Sequence, residues 1–214
     1  MLPLRWTARS TLNVVPTRVY VEAGAKKAFA SAAGWPGWCR WGKDEARALE
    51  ALAAYAPRYA KVARLAGIDL PKDATDFKVV ERLPGNVTTD FGAPGIPAKE
   101  EAKALTPAET DRMLSLLDAA WEYLDLVRAR APESLRKGPR GGGRDREKMY
   151  AHVLDSELGY SRQVGLRLKE LDRDAVREAL RHPQNDYKWP AVYMTRRIAW
   201  HALDHAWEME DRIP

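Results

Sequence analysis

The chain has 214 residues, 30% of them charged, with a formal net charge of +5 and a mean hydropathy of −0.50. That length allows one large domain or two small ones, each able to bury a core; the composition predicts a soluble globular protein, with no apolar run near the ~20 residues that span a bilayer. The mild positive charge permits contact with anions without demanding nucleic acid, and a lone cysteine, Cys39, excludes an internal disulfide and fits a reducing cytoplasm.

The opening residues Met1-Leu2-Pro3-Leu4-Arg5-Trp6 lack the apolar core of a signal peptide. A β-favouring run follows at Arg18-Val19-Tyr20-Val21-Glu22. Ala23-Gly24-Ala25 can turn it, and residues 27–32 can return antiparallel. Gly34-Trp35-Pro36-Gly37 reads as a second turn and Trp38-Cys39-Arg40-Trp41 as a short third strand. Asp44 is an N-cap for a helix running to about residue 66 and stopped by Gly67, with a kink or break expected at Pro57. Phe77-Lys78-Val79-Val80-Glu81-Arg82 reads as a fourth strand. The order β-β-β-α-β describes a small sheet with one covering helix.

That order resembles the HicB-like antitoxin domain, with Trp35-Pro36-Gly37-Trp38-Cys39 at the turn and Gly42-Lys43-Asp44-Glu45-Ala46 opening the helix. The resemblance covers about residues 18–66 and implies a fold more than an activity. Here Trp35 and Trp38 stand where the family pattern has other residues, and no DNA-binding helix-turn-helix is visible. Trp35, Trp38 and Trp41 beside Arg40 and Lys43 are read as packing between sheet and helix, not as a base-stacking platform. Cys39 is read as a half-buried structural thiol, since no histidine is near in sequence.

Residues 84–105 are rich in proline and glycine and carry no periodic pattern, which predicts a linker. Loops this long are often functional, and Phe91 or its neighbours are expected near the mouth of the helical half. Residues 1–83 and 106–214 are thus expected as two units. In the second, Thr106, Pro107 and Glu109 form a capping box for a helix to about residue 131. Residues 136–146 form a basic connection; their glycines lack the Gly-Lys-Ser/Thr ending of a phosphate loop. Further helices are expected over about 144–169, 172–180 and 191–212, which suggests a four-helix bundle.

His201 and His205 are four residues apart, one above the other on a helix face. Ile198, His201, His205 and Glu208 form an inward stripe, with Trp200, Leu203 and Trp207 on a neighbouring one. Arg196, Arg197, Asp204, Asp211 and Arg212 are candidates for solvent or for partners of the histidines. His152 is on the inward side of the 144–169 helix, so three imidazoles could share one metal and leave positions open for water or substrate. Glu157 and Glu208 could each act as a fourth ligand, a general base or a partner of a ligand; the plainer reading is a salt bridge. Tyr160 shares the His152 face, and His182 before Pro183 reads as exposed.

One histidine in the second helix and His-x-x-x-His in the fourth resemble the DinB/YfiT-like superfamily. The match is carried by Ala151-His152-Val153-Leu154-Asp155 and by Arg197-Ile198-Ala199-Trp200-His201-Ala202-Leu203-Asp204-His205, and it covers about residues 106–212. It implies a divalent metal, zinc or nickel, on His152, His201 and His205. It also implies, as in some members, a low-molecular-weight thiol activated for transfer to a small-molecule substrate. The chain is therefore expected to be an α+β protein with a metal-dependent enzyme of thiol-transfer or hydrolytic type in its helical half. The competing reading is a non-catalytic HicB-like interaction module joined to a bundle that dimerises, recognises a partner or holds a structural metal.

Overall fold

The computed structural model describes residues 15–138 and 143–214. The expectations for residues 1–6 and for residues 139–142 of the basic, glycine-rich connection fall outside these. Four strands come first: β1 (Thr17–Ala23), β2 (Ala28–Ala32), β3 (Cys39–Gly42) and, after two helices, β4 (Phe77–Pro84). They form one sheet in the order β3-β2-β1-β4. The β1–β2 and β2–β3 pairs are antiparallel, and β1 and β4 run parallel. A parallel pair needs a long crossover, here supplied by α1 (Glu45–Ala54) and α2 (Ala56–Leu65). The helix expected from Asp44 to about residue 66 is broken into these two, the break falling at Tyr55, just before Pro57. Pro57 sits in the first turn of α2, where its missing N–H costs nothing. Asp44 caps α1 by accepting from Arg47 N, and Gly67 ends α2 with φ +70°.

The fold is thus mixed α+β. Trp38 is fully buried, stacked on Tyr59 at 5.4 Å and donating to Leu52 O at 2.9 Å, so packing is its role. One apolar cluster runs without a break from Val19 and Val21 through Leu52 and Val62 into Leu114, Leu117, Ile198 and Trp207.

The proline- and glycine-rich segment is more ordered than an aperiodic sequence suggests. It carries α3 (Val87–Phe91) and a 3-10 turn at Lys99–Ala102. Two carboxylates tie it to the sheet. Asp90 accepts from the backbone of Lys26 at 2.7 Å and of Ala25 and Lys27 at 3.2 Å, closing over the β1–β2 turn. Glu22, 3% exposed, accepts from Thr89 Oγ1 and from the N–H groups of Gly95 and Ile96 at 2.9 and 3.1 Å. Neither tie has a sequence-local signature.

Four longer helices follow: α4 (Pro107–Arg130), α5 (Arg146–Ser161), α6 (Arg173–Arg181) and α7 (Ala191–Asp211). The capping box of α4 forms, with Thr106 N–H donating to Glu109 Oε2 at 2.8 Å and Glu109 N–H to Thr106 Oγ1 at 3.3 Å. α5 is shorter than the expected 144–169 helix. It ends in a 3-10 turn, and Gly165 adopts φ +78°, a left-handed stop that a non-glycine rarely takes. α7 packs against α4, α5 and α6 on one side, while its Trp200 joins Phe29 and Cys39 of the sheet on another. Being enclosed, it buries Arg196 and Arg197 at 4% and 8% exposure, so of the two alternatives expected for them the solvent-facing one does not hold. No helix among the described residues is long and apolar enough to cross a membrane.

The turn before β3 rests directly on α7. Gly37 has φ +88°, and a Cβ there would lie 2.7 Å from Leu203 Cδ1 and 3.1 Å from the Ala199 backbone. Gly37→Ala is therefore expected to cost about 2–4 kcal/mol, from backbone strain plus overpacking. Urea unfolding reads this directly; a loss under ~0.5 kcal/mol would mean that the turn has room to move.

Candidate metal centre

His201 and His205 stand on successive turns of α7, and His152 faces them from α5. Their ring centroids are 5.1 Å (His152–His201), 5.1 Å (His152–His205) and 4.7 Å (His201–His205) apart. One ring nitrogen from each lies within 4.8 Å of the other two. His201 is 6% exposed and the other two are partly buried.

The donor chemistry fits a cation. His201 Nε2 and His205 Nε2 are 3.2 Å apart. Two nitrogens at ~2.0–2.1 Å from one tetrahedral ion would be about 3.3 Å apart. Glu208 Oε2 lies 3.1 Å from His205 Nδ1 and is placed to accept its N–H, the tautomer that leaves a lone pair on Nε2. That is the carboxylate–histidine arrangement by which ligating imidazoles are oriented. Arg212 Nη1 holds the other Glu208 oxygen at 3.0 Å. The hydrogen bond to His205, with Arg212 alongside, keeps the Glu208 carboxyl below its ordinary range. Burial first, then His205, His152, Arg197 and Arg144, push His201 down to about 2; burial, Arg144 and His205 lower His152. Both rings are therefore neutral at pH 7, as ligation requires.

The cluster opens on a cleft of about 660 Å³ between α3, α5 and α7. Ser156 and Tyr160, one and two turns beyond His152, line it, as do Val87 and Phe91 of α3. Arg197 closes the inner side, four residues before His201. The stripe Arg197, His201, His205, Glu208 is continuous at helical spacing, and that spacing was the signal available for Arg197. Arg144 at the rim had no such signal.

Other sequence candidates lie elsewhere. Glu157, considered with Glu208 for a role at the metal, follows His152 by five residues and so points about 140° away around the helix. It is 1% exposed and accepts from Trp121 Nε1 at 3.1 Å and Arg173 Nε at 3.2 Å. Burial pushes its carboxyl up to about 7, against the pull of Arg173 and Trp121. Cys39 is fully buried, not half-buried, and burial raises its thiol, in keeping with a packing role. His182 is exposed beside Glu178.

Glu157 gives a pH prediction. Its folded pKa lies above the ordinary ~4.3, so its contribution to stability is complete below that pH and is lost as pH rises through about 7. In Glu157→Gln this loss disappears. The urea midpoint of the variant should gain on the wild type between pH 5 and 8; parallel pH profiles would contradict the assignment.

Compared with protein-family profiles, with curated proteins and with solved structures, the chain matches none.

Proposed function

We propose that this protein binds one divalent metal, zinc or nickel, through His152, His201 and His205, and is a metal-dependent enzyme of thiol-transfer or hydrolytic type. The reading rests on one observation: three imidazoles from two helices converge beside an open cleft. A structural site is usually closed by four protein ligands, whereas a catalytic one keeps a position free. We read α4 to α7 as a DinB-like four-helix bundle, supported by the helix order and the His placement. The sheet with α1 and α2 is read as a HicB-like scaffold that backs α7 and carries α3. A lone, buried cysteine fits a reducing compartment, and we assign the protein to the cytoplasm on that basis.

When bound, the metal would lower the pKa of water or of a thiol at its open positions. The chain's own residues do the rest. Glu208 fixes the His205 ring, Arg197 supplies a positive charge within the cleft, and Val87 and Phe91 offer apolar surface at its mouth. The test is metal analysis of protein purified without chelators, then titration of the stripped protein with zinc and nickel. One ion per chain and a rise in Tm that grows with metal concentration are expected. Failure of both metals to bind wild-type protein would refute the reading. Activity is then sought with small electrophiles plus a low-molecular-weight thiol, and with simple amides and esters.

A further inference from the structure

Arg197 is a buried charge with no counter-ion. Its Nη1 donates to Pro94 O and its Nη2 reaches Tyr160 Oη at 3.4 Å, while Nε has no partner. No carboxylate lies within ion-pairing distance among the described residues. Its neighbour Arg196, also buried, has Glu101 at 2.6 Å. A guanidinium taken from water without an opposite charge is costly to the fold, and natural proteins rarely retain one without a use. Arg144 at the same cleft is also unpaired among the described residues, and its charge bears on His152 and His201.

Asp204 is the one carboxylate that lines the cleft among the described residues, and Asp155 bears on His152 from the exposed side of α5. Asp204 is held by Arg40 at 2.7 Å, and Glu208 by His205 and Arg212. The cleft lining therefore holds two arginines, Arg197 and Arg144, without an ion-pair partner among the described residues. Its outer part is the reverse. Val87 and Phe91 are 85% and 86% exposed, among the few large apolar side chains left in water. They are held there by α3, which Asp90 and Glu22 tie to the sheet. Arg197 is flanked by the rings of Trp200 at 5.1 Å and Tyr160 at 5.4 Å, which fix the direction of its fork.

We infer that the cleft takes a small carboxylate with an apolar body, its acid group set between Arg197 and Arg144 beside the histidines and its body against Val87, Phe91 and Trp200. The inference rests on this cleft being the functional site proposed above, and it names the class of its substrate. A carboxylate matches a single guanidinium fork in shape and charge. A phosphate would ask for more donors than the apolar outer walls provide.

The test is calorimetric titration of the full chain, metal-free and zinc-loaded, with hexanoate, 1-hexanol and inorganic phosphate. Hexanoate is expected to bind both forms, about tenfold or more tighter than hexanol and tighter than phosphate. Arg144→Gln, at the exposed rim, and Arg197→Lys, which keeps the charge but loses the fork, should each weaken hexanoate about three- to tenfold. Phe91→Ser should weaken it without changing the order of the ligands. Equal binding of hexanol and hexanoate, tighter binding of phosphate, or unchanged hexanoate affinity in both arginine variants would overturn the inference. The two readings fail separately. Arginine-dependent hexanoate binding in a protein that takes no zinc leaves this one standing, and zinc binding with no hexanoate binding leaves only the metal.

Discussion

His201→Ala is expected to weaken zinc binding by at least about a hundredfold, beyond the 10- to 100-fold typical when only an outer partner of a ligand is lost. Three ligands leave no spare, and His201 is the most buried of them, with its Nε2 only 3.2 Å from that of His205. His152→Ala and His205→Ala should behave alike, and each should lose any activity found. Glu208→Gln is a graded control. It keeps the fold and the three ligands but gives up the carboxylate on His205 Nδ1, so a smaller loss, about 10- to 100-fold, is expected. His182→Ala, at an exposed ring, should change nothing. Competition with a chromophoric chelator measures the wild type and all five variants, and circular dichroism checks that each is folded. Wild-type zinc affinity in His201→Ala would end the three-histidine proposal.

Much of this site was legible because helices repeat at fixed spacing. His201 and His205 at i and i+4 had to share a face, and a histidine on the apolar side of another helix was a natural third member. Glu208, one turn further, fell on the same stripe. What stayed hidden depends on contacts remote in sequence. Nothing local marks Asp90 as the cap of the Lys26–Lys27 turn, or Glu22 as the anchor of Gly95 and Ile96. The segment between β4 and α4 therefore read as an aperiodic linker, although it holds α3 over the cleft. The same limit governs α7. Arginines are expected outside, and the reading of Arg196 and Arg197 as surface or helper residues followed that rule. Their acceptors come from the sheet, from the loop around Pro94 and Ile96 and from the turn at Glu101, none of which a helical stripe can show. Sequence pattern thus brought the three histidines together, while the walls of the cleft depended on tertiary hydrogen bonds.

Arg196→Met is expected to be the most destabilising of the substitutions considered, at about 3–5 kcal/mol, or roughly 10 °C in Tm for a chain of this size. Arg196 joins three parts of the molecule. Its Nε and Nη2 grip Glu101 at 2.6 and 2.9 Å, Nη2 also donates to Ile96 O at 3.1 Å, and Nη1 reaches Ser31 Oγ of β2 at 3.3 Å. Burial opposes its charge, but Glu101 outweighs burial and holds its pKa above the ordinary value. Removing Arg196 leaves Glu101, 3% exposed, as a carboxylate without its cation. The cost arises from that stranded charge more than from the lost attraction, so the pair should be strongly non-additive. Glu101→Leu alone should be comparably harmful, since it strands the guanidinium instead. The double variant Arg196→Met, Glu101→Leu should recover at least ~2 kcal/mol relative to the sum of the single losses. Urea unfolding of the four proteins gives the coupling energy. Additive losses would show that each side chain acts through its own packing, and that the sheet, the α3 segment and α7 are not held together through this ion pair.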